Sequence, residues 1–476
     1  METDGPTGKL CTWIHGLTLA DIPPEVQTRA KYLLLDGIAC GLVGAHLPWS
    51  ETAANAIFKM ESAGSATIIG WEKKISPLSA ALLNSTFIQG FELDDWHSEA
   101  PLHSNSIILP ALLAAAEHLK SVGGSSSPIN GSLFLLAYIT GLEVGPRVGN
   151  ALYGSHMLTR GWHSGAVFGP SASATAVCKM LNLPANTIED AVGIACTQAC
   201  GLMSAQYESE VKRMQHGFAA RNGLFAAILA KGGYVGIKKV YERTYGGFLA
   251  AFSQGSGKNP LYLENEITEG LGAKWQTTRV RVKPYAAMAG THCTIDCIRK
   301  LQAEYPAQMK ELAIITSIKY EMAEAAFHHG GWVAKRPLTA TGAQMSNSYV
   351  AATQIVDGQV LPAQFRHDQL ERDDVWELVE KTTCVHSEEF SNKWVQRATI
   401  EFKNKPTLVA IVEAPRGVDQ AMTNEEILEK WRELVKSVIG DERREEIERM
   451  CLGLEGLEDI TQLGRLLLGI TRNPIV

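Results

Sequence analysis

The sequence has no CxxC pair, no Walker-type phosphate loop and no glycine fingerprint in a strand-turn-helix context. It also has no uninterrupted apolar stretch near the ~20 residues that span a bilayer, because Gly, Pro or charged residues break each candidate. Each absence removes a class of function. Without paired spacing, the nine cysteines, at 11, 40, 178, 196, 200, 293, 297, 384 and 451, read as free thiols, a usage that fits a reducing compartment. Without a phosphate loop or dinucleotide fingerprint, nucleotide cofactors have no support, and the expectation is chemistry by side chains alone, with no cofactor and no metal. The first ten residues carry neither the basic start and apolar run of a signal peptide nor the Arg-rich pattern of a transit peptide, so the expected location is cytoplasmic, with no membrane partner. Positive charge in excess is missing too. The formal net charge of -7 argues against nucleic acid as a partner, and an acidic chain that takes an acidic substrate needs a local cationic pocket.

What is present is a globular composition, 45% hydrophobic and 20% charged, over 476 residues, a length that favours two domains. The first half reads as consecutive helices. One begins at Pro23 and Pro24 and carries Val26, Ala30, Leu33, Gly37 and Gly41 at helical spacing. Ser76-Pro77 offers a cap and a first-turn proline for a helix running to about Phe91. The polar string Glu92 to His103 reads as a loop, and a further helix runs from about Ser106 to Gly123, followed by a linker at Ser125 to Ser127 with Pro128. Helical patterning resumes from Ser132, Ser171, Ile188 and Phe218. After Leu271 the character changes. Thr278 to Tyr285 alternates as a strand does, Ile314 to Met322 looks similar, and Arg397 to Phe402 and Thr407 to Val412 form a pair joined through Asn404-Lys405-Pro406. From Thr423 the chain is helical again. The expected organisation is a helical domain at 1–271, an α+β lid at 272–415, and a C-terminal return to the helical domain at 416–476.

Four strings can carry chemistry. The first is Glu92 to Ser104, where Glu92, Asp94, Asp95, His97, Glu99 and His103 crowd a loop between apolar helices, as general acid and base work requires; an N-cap aspartate with surface histidines is the bland alternative. The second is Arg160 to Ala166, in which Gly161 and Gly165 flank Trp162 and His163 and let backbone approach a bound molecule; a histidine that only caps the next helix fits equally well. The third, Lys212-Arg213-Met214-Gln215-His216, puts cations just before an apolar helix, a natural carboxylate site, against the alternative of a solvated basic turn. The fourth is Lys283-Pro284-Tyr285, leading through Ala286, Ala287 and Met288 to His292 and Asp296. Cys293 and Cys297 beside His292 mimic a metal site, but packing explains them more simply.

Together these strings resemble the MmgE/PrpD family, almost end to end. The segments that carry the likeness are Ala30 to Cys40, Glu92 to His103, Gly161 to His163, Gly193 to Gln206, Lys212 to Gly223 and Gly342 to Tyr349. Asp94-Asp95 with His97 to Ser104, and Ala195 to Tyr207, look closest to the fungal-type cis-aconitate decarboxylase branch. The resemblance implies a mostly α fold, with a large helical domain built from both chain ends and a smaller α+β lid, and a homodimer. It implies a lyase that decarboxylates cis-aconitate, or an alkylated relative, to itaconate or an alkyl-itaconate. The alternatives are a citrate or alkylcitrate dehydratase and an isomerase or epimerase of a small dicarboxylic acid. Carried over by motif, the catalytic set is His103, Asp94 or Asp95, Lys212 and His163, with Lys283, Tyr285, His292, His97, Arg213 and His216 toward substrate and Glu99 in reserve. One departure stands out: where the decarboxylases have small residues and cysteines after the Lys-x-Tyr, this chain has Ala286, Ala287 and Met288, which suggests a more apolar wall and a substrate with an alkyl tail.

Overall fold

The computed structural model describes residues 4–123, 128–206, 209–390, 394–418 and 420–476; the expected linker at Ser125 to Ser127 and the end of the Ala195–Tyr207 string lie outside them. The chain is mostly helical and separates into two compact units. The first comprises Met1–Gly90, Asp94–Val282 and Asn424–Asn473; the second comprises Phe91–Leu93, Lys283–Thr423 and Pro474–Val476.

Seven helices organise the first unit around its site: α1 (Pro24–Gly44), α2 (Pro77–Ile88), α3 (Ser104–Val122), α4 (Gly131–Ala151), α5 (Ser164–Met180), α6 (Ala185–Cys196) and α7 (Gln215–Lys231). Helix α5 is the axis, since every one of its residues is buried. Its small side chains explain how it can be surrounded on all sides. A Cβ at Gly223 of α7 would meet the Ser173 hydroxyl and the backbone of α5, and one at Gly169 would meet Ile107 and Ala219, so the glycines set the distance at which α3, α5 and α7 pack.

Four helices, α3, α5, α6 and α7, start two or more residues before the sequence expectation, α6 at Ala185 rather than Ile188, and for α3 and α5 the cap explains the difference. Helix α2 starts where Ser76 accepts from the Ser79 amide, as the cap signal indicates. Helix α3 starts at Ser104 rather than Ser106, because its cap comes from Asp95, nine residues upstream. Helix α5 starts at Ser164 rather than Ser171, because the His163 ring accepts the Ala166 amide. Helix α7 begins at Gln215, three residues before Phe218. The strand expected over Thr278 to Tyr285 shrinks to β4 (Val280–Arg281), which pairs antiparallel with β3 (Trp96–His97) inside the loop; a hairpin of β1 (Ala66–Ile68) and β2 (Lys73–Ile75) precedes them. On one side of β4 the amides of Gln276 and Thr277 donate to the buried Glu143 carboxylate, and on the other Pro284 has no N–H, so the full alternating segment does not pair.

The C-terminal helix Asn424–Val435 packs against α1. There the Lys430 ammonium lies 2.6 Å from Asp36, with the two side chains 5% and 0% exposed. Burial pushes the Asp36 carboxyl up, while Asp36 holds the Lys430 ammonium protonated despite its own burial. The second unit holds a four-stranded sheet in the order β6-β5-β7-β8, where β5 is Ile315–Met322, β6 Thr382–His386, β7 Gln396–Phe402 and β8 Lys405–Val412. Strands β5 and β6 run parallel and the other neighbours antiparallel. The β7–β8 turn is Lys403-Asn404 with Asn404 at φ 62°, so β8 starts two residues earlier than the proline suggested. Helix α8 (His292–Glu304) covers β7 and β8.

Removing one member of a buried pair strands the other charge, which costs about 3–5 kcal/mol. Lys430→Met is therefore expected to lower unfolding stability by that amount in denaturant titration, and Asp36→Leu added to it should recover most of the loss.

Candidate active site

Adjacent aspartates in the first unit have different tasks. Both oxygens of Asp95 accept backbone amides, from Ser104 at 2.9 Å and Asn105 at 3.0 Å, so this carboxylate caps α3 and satisfies two of its orphan donors. Burial and then the neighbouring Asp94 push its pKa up to about 7. Asp94 instead accepts from His103 Nδ1 at 2.9 Å. That bond leaves Nε2 as the ring's working edge. Asp94 is fully buried, whereas the His103 side chain is 19% exposed.

Two more imidazoles complete the group. His216, fully buried at the start of α7, has its ring centroid 4.8 Å from both His103 and His163. His163 Nδ1 accepts the Ala166 amide at 3.3 Å, so a neutral His163 carries its proton on Nε2. Burial, with His103 adding to it, lowers the His163 pKa to about 3. His163 is thus both a helix cap and a neutral Nε2–H donor, which joins the two readings its string allowed. Gly165 explains the seat of His216: a Cβ there would lie 2.1 Å from the His216 ring. Arg213 is buried, stacks over Trp49 with 5.8 Å to the ring centroid, and has its pKa drawn down to about 10 by burial while Asp94 acts in the opposite sense. Lys212 lies half-buried on the turn Glu210–Met214 that leads into α7.

His97 and Glu99 serve the loop itself. His97 is fully buried, its Nδ1 accepts the Ala100 amide at 3.0 Å, and burial lowers its pKa to about 3, so the ring holds the turn that presents His103. Glu99 forms a surface pair with Arg279.

In the second unit, Lys283 and Glu92 form a buried ion pair at 2.9 Å. Glu92 is a functional candidate outside the set carried over by motif, because its partner is 191 residues away and no local pattern links the two. Tyr285 donates to Asp296, which fixes its hydroxyl, and burial, with the neighbouring Asp296 adding to it, raises its pKa. Its ring packs edge-on against His292, 5.1 Å between centroids, and His292 Nε2 lies 3.0 Å from the Ala287 carbonyl. Ala286 and Ala287 are fully buried, whereas Met288 is half-exposed. Cys297 packs against β7, where its thiol meets the Gln396 carbonyl at 3.4 Å. Among the described residues no group of three or more His, Cys, Asp or Glu is arranged to hold a metal ion. An open cleft of about 870 Å³ on the first unit, lined by Asn186, Glu189, Lys238 and Tyr245 among others, contains none of the predicted site residues.

Chemically, the first unit offers one carboxylate-oriented imidazole, one neutral imidazole donor, the buried Arg213, whose charge acts on Asp94, and the half-buried Lys212. That set can hold an anionic molecule and move one proton.

Comparison with known proteins agrees with this content. The MmgE/PrpD N-terminal domain family matches residues 8–261, and the MmgE/PrpD C-terminal domain family matches residues 285–454. The chain is 52% identical to the cis-aconitate decarboxylase-like protein oryM of Aspergillus oryzae, covering 97% of each chain. It is 48% identical to a cis-aconitate decarboxylase of Aspergillus terreus, over 99% of this chain and 98% of the relative. With the human cis-aconitate decarboxylase the identity is 26%, over 97% and 94%.

Because the missing side chain at Gly165 seats His216, Gly165→Ala is expected to cost about 1–3 kcal/mol by overpacking. Gly165→Ala with His216→Ala should be more stable than Gly165→Ala alone in thermal melts; a strictly additive loss would show that the two positions do not compete for the same space.

Proposed function

The chain belongs to the MmgE/PrpD family, and from that premise we propose that it is a carboxy-lyase that converts cis-aconitate, or an alkylated cis-aconitate-like acid, to itaconate or the corresponding alkyl-itaconate using side chains alone. The observation that carries the reading is the imidazole group ordered by Asp94: one histidine oriented to give a proton, a second fixed as a neutral donor, in a chain that matches decarboxylases along nearly its whole length.

The chemistry follows from the substrate. Breaking the bond between the CH2 group and its carboxylate releases CO2, and the freed pair forms the new terminal double bond. The original double-bond electrons move onto the former vinyl carbon and its carboxylate, giving a dienolate. A proton added at that carbon yields itaconate. The enzyme must therefore bind carboxylates, hold the dienolate and deliver one proton. Lys212, Arg213 and Lys283 are the proposed carboxylate cations, because preorganised charge in a water-poor site stabilises developing negative charge strongly. His163 donates a hydrogen bond from Nε2 without changing charge. His103 is the proton donor through Nε2, and Asp94 stabilises its imidazolium and fixes the ring. His292 completes the substrate-facing set. Tyr285, whose hydroxyl is engaged by Asp296, supports His292 and supplies no proton.

Two finer statements accompany the proposal. The protein works in the cytoplasm, supported by nine free cysteines, and as a homodimer, supported by the family resemblance. Light scattering at micromolar concentration should give twice the 51.7 kDa chain mass, and a single-chain mass would remove the dimer.

The test of the reaction is incubation of the purified protein with cis-aconitate, an alkylated aconitate and citrate, followed by proton NMR. Terminal CH2= resonances with CO2 release are expected from an aconitate; an unsaturated product from citrate without CO2 loss would replace the reading with a dehydratase. Equal rates with plain and alkylated substrate would remove any role for an alkyl tail. General acid catalysis contributes roughly 10²–10⁴-fold. His103→Ala is thus expected to lower kcat by at least a hundredfold in a protein that still folds, and Asp94→Asn to lower it tenfold or more. Near-normal turnover of His103→Ala would remove His103 from the mechanism.

A further inference from the structure

We propose that Glu92 is a positioning residue that aims the Lys283 ammonium and supplies its counter-charge, so that its contribution to substrate affinity runs entirely through Lys283. The inference rests on the proposed role of Lys283 as a carboxylate-binding cation. Three observations in the second unit support it.

The first is the pair itself. The Lys283 Nζ lies 2.9 Å from Glu92 Oε2, and the two side chains are 3% and 5% exposed. A lysine stem has four rotatable carbons, and a buried ammonium with no fixed acceptor gains nothing from any one direction. A carboxylate at 2.9 Å both orients the ammonium and offsets its desolvation. The second is the backbone. Glu92 has φ 57°, a left-handed conformation that a side chain with a Cβ adopts only when its surroundings impose it. The third is what imposes it. The Gln344 amide donates at 2.9 Å to the Phe91 carbonyl and at 2.9 Å to the Ala286 carbonyl, and the Gln344 carbonyl accepts the Met288 amide at 3.1 Å. One glutamine thus holds the residue before Glu92 and the segment after Lys283 in a single frame. Gln344 lies in the Gly342 to Tyr349 string, one of those that carry the family likeness, and here it fixes the separation of an ion pair.

A buried pair kept only for stability is a poor investment, since well-packed apolar residues often do as well. Glu92 and Lys283 instead resemble a preorganised binding cation with its guide. A substrate carboxylate meets an ammonium already directed, and little ordering remains to be done on binding.

The experiment is a double-mutant cycle read in KM and kcat with the aconitate substrate, using Glu92→Leu, Lys283→Met and the double variant, with Glu92→Gln and Glu92→Asp as milder changes in case the leucine variant folds poorly. Lys283→Met is expected to raise KM at least tenfold. Glu92→Leu should raise KM by a similar factor with a smaller effect on kcat, Glu92→Asp should recover part of it, and Glu92→Leu should add less than twofold when Lys283 is already Met. KM effects that multiply in the double variant would overturn the inference, because Glu92 would then act independently of Lys283. An unchanged KM for Glu92→Gln and Glu92→Leu beside a raised KM for Lys283→Met would overturn it as well. An unchanged KM for Lys283→Met itself would instead overturn the underlying assignment of Lys283 to substrate.

Discussion

The site depends on one helix cap. By accepting the amides of Ser104 and Asn105, Asp95 fixes where α3 begins, and the start of α3 fixes His103, the residue just before it. Asp94, next in sequence to the cap, is then placed to take His103 Nδ1. A single buried carboxylate thus turns a polar loop into a defined acid–base unit. The region behind it is equally constrained: Asn105 is held by Tyr138 and by the Leu33 carbonyl, and it presses against α1 at Gly37, where a Cβ would lie 2.6 Å from it. The ring arrangement is passed on through packing, from His103 to His216 to His163, with Gly165 giving the middle ring its space.

Charge is organised in the same economical way. The chain is acidic overall, and three of its buried cations stand beside carboxylates: Lys430 with Asp36, Arg147 with Glu143 and the carbonyls of Glu269 and Lys274, and Lys283 with Glu92. The first two hold elements of the fold together, the C-terminal helix on α1 and the segment after residue 268 on α4. The third stands in a frame of its own, made by Gln344. The distinction matters because a buried ion pair is weak evidence for stability by itself. Geometry around the pair, here the left-handed Glu92 and the doubly bonded Gln344, is what points to function.

Much of this was legible in the sequence, and what was hidden has a physical cause. The start of α2 at Ser76-Pro77 and the β7–β8 pair are readable because cap, proline, turn and alternation are all local in the chain. The start of α5 is not, because Ser164 to Ala174 is built of small residues buried on every face and shows no apolar period. Nor is the shortness of β4, since its failed partners are amides spent on Glu143, more than 130 residues away. Among the proposed site residues, the strings around His103, His163, Lys212 and Lys283 stand out in the sequence as dense in titratable groups. What the strings could not divide was Asp94 from Asp95, because the two differ only in which donors they face. Glu92 was visible as an acid but not as the partner of Lys283, since no periodicity links residues so far apart.

In the proposed reaction CO2 leaves from the CH2 arm and His103 protonates the former vinyl carbon. Turnover of cis-aconitate in D2O, with the itaconate examined by proton and deuterium NMR, tests it most directly. One deuterium per molecule is expected, confined to the saturated CH2 next to a carboxylate, with the terminal CH2= free of label. Deuterium in the terminal CH2=, or a methyl-bearing product labelled at the carbon that lost CO2, would contradict it.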